Sequence, residues 1–182
     1  MKRPTSTLDF VRIFSVSIRD LIQNATGKPI HVSKSAMQVR GVQISGDIGA
    51  FVSFSGDYSG IMVFNFDGPA ALEIVSNSLL RLGLPQEDVP THSGSDEVRN
   101  NIGELLNQVI GRCRSQVEEK FDLSAKANIP AVVPISVPIS LTMVTKDTTS
   151  LECVRVPFST SKRNKFYMEL ALEPFNRTDL EL

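Results

Sequence analysis

Ala50-Phe51-Val52-Ser53-Phe54-Ser55-Gly56-Asp57-Tyr58-Ser59-Gly60-Ile61-Met62-Val63-Phe64-Asn65-Phe66-Asp67-Gly68-Pro69 holds the turning points of this chain. Two runs rich in aromatic and β-branched residues flank the polar connection Ser55 to Gly60, which is the pattern of a β-hairpin. Asp67 then supplies a cap and Pro69 a first-turn proline, so a helix follows the second strand directly. An antiparallel pair feeding a helix belongs to an α+β arrangement.

The flanking sequence extends this unit in both directions. Upstream, residues 29–49 form short runs punctuated at Gly41, Gly46 and Gly49, which predicts further antiparallel strands. Before them Leu8, Val11, Phe14, Ile18, Leu21 and Ile22 recur at helical spacing, with Ser6 and Thr7 able to cap the first turn and Gly27 as a stop. Downstream, Leu72, Val75, Leu79 and Leu82 form the apolar stripe of a second helix, ended by Gly83. Residues 84–94 carry two prolines, acids and His92 and form a loop. Ser95-Asp96-Glu97 opens the third and longest helix, which runs to about Lys120, with two acids where the helix dipole favours them. Strand candidates follow at 139–145, 151–158 and 165–172, the last two joined by the polar turn 159–164. The order helix, strands, helix, helix, strands predicts one α+β domain over residues 1–182, an antiparallel sheet covered by helices.

Composition removes several function classes. The 182 residues carry 19 Lys+Arg against 20 Asp+Glu, a formal net charge of −1, so no global positive field draws the chain to nucleic acid or an anionic membrane. A hydrophobic fraction of 41% and a charged fraction of 21% are those of a globular chain. Met1-Lys2-Arg3 resembles a signal n-region, but Thr5, Ser6, Thr7, Asp9 and Arg12 interrupt the apolar stretch that would have to follow. The apolar tract 129–144 contains Pro130, Pro134 and Pro138, which excludes a spanning helix there. A cytoplasmic location is expected, and two N-x-T triplets, at Asn24 and Asn176, then have no meaning as glycosylation sites. Cys113 and Cys153 lie far apart without a CxxC spacing or clustered histidine, so metal and redox centres lack ligands. His31 and His92 complete no triad, and Lys162-Arg163-Asn164-Lys165 is a solvated hairpin end.

The third helix carries the informative residues. Advancing about 100° per residue from Val98, the apolar positions Val98, Ile102, Leu105, Leu106, Val109 and Cys113 fall between about −20° and +80°, the face toward the core. Glu104 lies at about 240°, Asn107 at about 180° and Gly111 at about 220°, all toward solvent. A spacing of three places the carboxylate and carboxamide on adjacent turns, close enough to act on one bound group. Gly111 costs a mid-helix position roughly 0.5 to 1 kcal/mol relative to alanine, and on an exposed face it leaves room for a partner's backbone. Cys113, on the core side, is a buried thiol rather than a nucleophile.

Asn100-Asn101-Ile102-Gly103-Glu104-Leu105-Leu106-Asn107, followed by Gly111 and, 22 residues after Asn107, by Pro130, resembles the signature of the CheC/CheX/FliY family. These are bacterial chemotaxis phosphatases acting on the phosphorylated response regulator CheY. Their pattern is Asp or Ser, three residues, Glu, two residues, Asn, 22 residues, Pro; Asn100 stands here in place of the Asp or Ser. The stretch 44–64, the helix beginning at Ala70, and the segments 154–157 and 166–172 also resemble the CheX branch. CheC-type members carry a second Glu/Asn pair on their first helix, where this chain has Asp20-x-x-Gln23, so it resembles a single-sited, CheX-like protein.

The resemblance implies that Asn107 positions the water that attacks an aspartyl phosphate, while Glu104 forms a salt bridge to the lysine of the response regulator's active site. Gly111 and Asn100 would lie against the partner. Mg²⁺ is expected on the phosphorylated partner, with no cofactor bound by this chain, and a homodimer is expected. The alternative function is a non-catalytic module that recognises a receiver domain through the same face. Pro130 is expected to be structural: the ten residues from Phe121 can span about 33 Å, enough to return beside the helix and begin a strand under the site.

Overall fold

The computed structural model describes residues 6–141 and 151–173. In chain order the elements are α1 (Thr7–Thr26), β1 (His31–Val32), β2 (Met37–Val39), β3 (Val42–Ile44), β4 (Ile48–Gly56), β5 (Gly60–Phe66), α2 (Gly68–Arg81), α3 (Asp96–Phe121), β6 (Ala125–Ala127), β7 (Ala131–Pro134), β8 (Ile139–Leu141), β9 (Glu152–Ser159) and β10 (Lys165–Leu172). A single 3₁₀ turn, Gln86–Asp88, interrupts the loop between α2 and α3. The strand expected at 139–145 is present as β8, and its last four residues lie outside the described ones.

The hairpin at 50–66 is the middle of the main sheet. β4 and β5 pair antiparallel with Ala50 opposite Phe64 and Val52 opposite Met62. Outward from them the order is β1-β9-β10-β5-β4-β6, with β2 also on β9 and β7 also on β4, and every pairing is antiparallel. Alternation along the strands divides the sheet into two faces. Ile48, Ala50, Val52, Phe54, Met62, Phe64, Phe66, Phe166, Met168 and Leu170 point to one of them and join α1, α2 and α3 in the large core. Phe66, Phe166 and Phe158 stack in a row across three strands at centroid separations of 5.3 and 5.0 Å. Helices cover this face as the sequence predicts.

The opposite face is covered too. β3 and β8 form a separate ribbon that lies over Ile61, Val63, Cys153 and Ala171. Polar ties hold it down: the Glu169 carboxylate accepts from the Gln43 backbone N–H at 2.6 Å, while Asn65 accepts from the Ser45 N–H and donates to the Gln43 carbonyl at 2.9 Å. Arg155 completes the arrangement by pairing with Glu169, whose side chain is fully buried. All seven residues of β5 are consequently buried. The near-continuous apolar run Ile61 to Phe66 is the sequence mark of a strand covered on both sides.

Local expectations change in both α1 and α2. Ser6 sits at the N-cap of α1 without a side-chain capping bond, and Leu8 of its expected apolar stripe is 49% exposed. Asp67 sits at the N-cap of α2, but its side chain makes no capping bond; the Asp47 carboxylate accepts from the Gly68 N–H at 2.6 Å instead. Leu82, placed by its spacing in the buried stripe of α2, is 83% exposed. The helix ends at Arg81, whose guanidinium lies against Gly27 at the end of α1, and Leu82 at its C-cap is left uncovered. The buried face of α2 is formed by Ala70, Ala71, Ile74 and Val75.

Candidate functional site

The site is built on α3, a helix of 26 residues opened by Ser95, whose side chain accepts from the Val98 N–H at 3.2 Å. The helix stops at Asp122 in a left-handed conformation. Its buried side contains all six residues expected from the wheel and adds Ile110, Val117 and Phe121, widening the apolar arc from about 100° to about 160°. Cys113 is buried within it, and burial pushes its thiol up to about 12, which removes it from nucleophilic chemistry.

Asn100, Glu104, Asn107 and Gly111 are all exposed on the opposite side. They fall within about 60° of one another around the axis, between about 180° and 240°. Among the described residues, neither Glu104 nor Asn107 is held by a hydrogen bond or an ion pair, in contrast to Asn101, which donates to the Glu97 carbonyl at 2.9 Å, and Arg99, which pairs with Asp96. A Cβ added at Gly111 would meet nothing within 4 Å. The fold therefore does not require glycine there, and the open space lies on the same face as Asn107.

The two flanks of α3 hold this face in place. On one flank the chain returns as expected: the Arg114 guanidinium donates to the Ala125 carbonyl at 2.6 Å, and Val132 of β7 lies 3.5 Å from where a Cβ of Gly103 would be. The strand following Pro130 thus packs against the helix. On the other flank a cleft of about 290 Å³ separates α3 from α2, with Ile74, Val75, Leu82 and Leu105 as apolar lining and Asn101 and Glu104 among its polar edge. The corresponding place on α1 is spent on local structure: Asp20 pairs with Arg19 at 2.7 Å, and Gln23 accepts from the Ile30 N–H at 2.9 Å. No group of three or more His, Cys, Asp or Glu residues is placed to hold a metal among the described residues. None of their helices is long and apolar enough to cross a membrane.

A family profile described as "Protein of unknown function (DUF3334)" matches residues 2–180. The chain belongs to the DUF3334 family. No curated protein sequence matches this DUF3334 chain. Its fold is that of the CheX and CheC-like proteins. A CheX chemotaxis protein from Desulfovibrio desulfuricans superposes with a TM-score of 0.71 at 19% identity, covering 91% of this chain and 99% of that one. CheX from Vibrio vulnificus gives 0.70 at 23% identity, again over 91% and 99%. The CheX chain of a CheX–CheY–BeF3–Mg²⁺ complex from Borrelia burgdorferi gives 0.61 at 15% identity, over 90% and 97%. The DUF3334 chain thus shares its fold with these CheX proteins over about nine-tenths of its length.

Proposed function

We propose that this DUF3334 chain is a phosphatase that hydrolyses the aspartyl phosphate of a phosphorylated CheY-like response regulator. The observation that carries this reading is the pairing of an unengaged carboxylate and carboxamide, Glu104 and Asn107, on the exposed face of a helix in a CheX-like fold. A protein of that fold has been crystallised in a complex of CheX, CheY, BeF3 and Mg²⁺.

In this mechanism α3 lies across the phosphorylated cleft of the partner. Glu104 pairs with the partner's active-site lysine, which fixes the helix and selects a receiver domain by charge. Asn107 then holds a water in line behind the phosphorus. Its carbonyl oxygen accepts from the water, and its N–H₂ group donates toward the phosphoryl oxygens without adding negative charge to the transition state. The water oxygen forms the new P–O bond and the bond to the aspartate oxygen breaks. The aspartate leaves as a carboxylate, and both protons of the water stay with the released phosphate, which departs as H2PO4⁻. This division is the one a glutamine serves in GTPases, where positioning rather than acid–base chemistry carries the rate. Mg²⁺ belongs to the phosphorylated partner and this chain binds no cofactor; it works from the cytoplasm as a homodimer.

The test is loss of phosphate from a panel of purified phosphorylated receiver domains. Wild type accelerates decay of at least one of them. Glu104→Ala weakens both the complex and the turnover, in contrast to Asn107→Ala, which keeps the complex. Asn100, standing where the family pattern has Asp or Ser, favours a second reading, in which the same face binds a receiver domain without hydrolysis. Binding without accelerated decay would establish that reading instead.

A further inference from the structure

The outward face of α3 offers Asn100, Glu104, Asn107, Gln108 and Gly111, and no apolar side chain. A specific interface needs a desolvated apolar centre beside such polar contacts. The nearest candidate is Leu82, the residue that caps α2. At 83% exposed it is among the most exposed large apolar side chains of the described residues, and it lines the same cleft as Glu104. Behind it the cleft is apolar, with Ile74, Val75 and Leu105 as its lining. Because Glu104 belongs both to the cleft and to the outward face, the apolar surface runs into the polar one without a break. The unengaged carboxylate at this junction is complementary to a cationic group on whatever docks there.

Resting on the function proposed above, we propose that the cleft between α2 and α3 receives an apolar side chain of the docked receiver domain, next to the lysine held by Glu104, and that Leu82 determines affinity for that partner. Leu82 does not touch the reacting atoms. It acts on docking, so its removal changes KM rather than kcat. Leucine at a position that the fold leaves uncovered is then a partner contact, and a polar residue there would cost the isolated chain nothing.

The experiment compares wild type, Leu82→Asp, Leu82→Gln and Leu82→Met, using the phosphorylated receiver domain that wild type turns over fastest. Affinity is measured for the same domain loaded with BeF3⁻ and Mg²⁺. Met37→Asp, on the strand β2 and 45% exposed, is the surface control. Leu82→Asp and Leu82→Gln raise KM and Kd about tenfold or more, as loss of a buried leucine contact implies. Their kcat stays within about twofold, Leu82→Met restores most of the affinity, and Met37→Asp changes neither constant. An unchanged KM in both polar variants, or a fall in kcat alone, overturns the proposal for Leu82 while leaving the phosphatase reading intact. Failure of wild type to bind or dephosphorylate any receiver domain instead overturns the phosphatase reading, and this proposal with it.

Discussion

Gly111 separates what the fold requires from what docking requires. With nothing within 4 Å of a would-be Cβ, Gly111→Ala adds a methyl to open solvent and removes a helix-interior glycine. The variant is expected to be more stable by about 0.5–1 kcal/mol, read as a higher urea midpoint with unchanged slope. In the proposed docking mode the same methyl would lie on the face that the receiver domain approaches, so KM is expected to rise despite the gain in stability. An alanine variant that is more stable and equally active would remove Gly111 from the docking face. The direction in which Glu104, Asn107, Gly111 and Cys113 point is legible in the sequence, because a long helix with one apolar stripe leaves its other face only one place to go. Leu82 is not legible in this way. Its spacing matches the buried stripe of α2, and only the ending of α2 at Arg81 leaves it uncovered.

At the scale of elements, two carboxylates tie α2 down: Asp47 holds its first turn and Glu73 anchors its body to the sheet. Glu73, buried in the helix, accepts from the side chains of Ser161 and Asn164 at 2.8 Å each, from the Thr160 hydroxyl, and from the Lys162 N–H at 3.2 Å. It thereby fixes the turn between β9 and β10. Burial by itself would raise the Glu73 pKa, but these four donors outweigh it and hold the carboxyl below its ordinary value of 4.5. A depressed folded-state pKa contributes stability that is complete above the unfolded value and is lost as pH falls through the folded one. Glu73→Gln is therefore expected to be less stable than wild type at pH 7, with the gap in urea midpoint closing below about pH 4.5. An equal gap at pH 7 and pH 3 would show that the charge of Glu73 does not matter. Beneath the site, Leu106→Ala empties a fully buried position and costs about 2–5 kcal/mol, measurable by denaturant unfolding. The turn itself is evident from its polar residues. Its anchor is not, because Glu73 lies some 90 residues earlier in a helix whose pattern gives no sign that one acid faces inward.

For the molecule as a whole, the sheet has two covered faces, and only one of them follows from the order of elements. The helical layer is implied by three amphipathic segments around a hairpin. The ribbon of β3 and β8 joins residues about a hundred apart, and its ties run through Asn65 and Glu169, polar residues inside otherwise apolar strands. Their meaning depends on which strand lies opposite, which local patterning does not specify. Arg155→Met should leave Glu169 buried without its ion-pair partner, with only the Gln43 N–H still donating to it, and cost about 3–5 kcal/mol by denaturant unfolding. A net charge of −1 fits the docking scheme, since a strongly negative chain would be repelled by a phosphorylated acidic cleft and a single helix needs only local complementarity. The central claim is that Asn107 activates hydrolysis on a partner bound through Glu104, and its most direct measurement is the decay of a phosphorylated receiver domain with wild type and with Asn107→Ala in parallel. The account predicts accelerated decay with wild type and a loss of about a hundredfold or more in Asn107→Ala, with the complex retained; equal decay with the two proteins would contradict it.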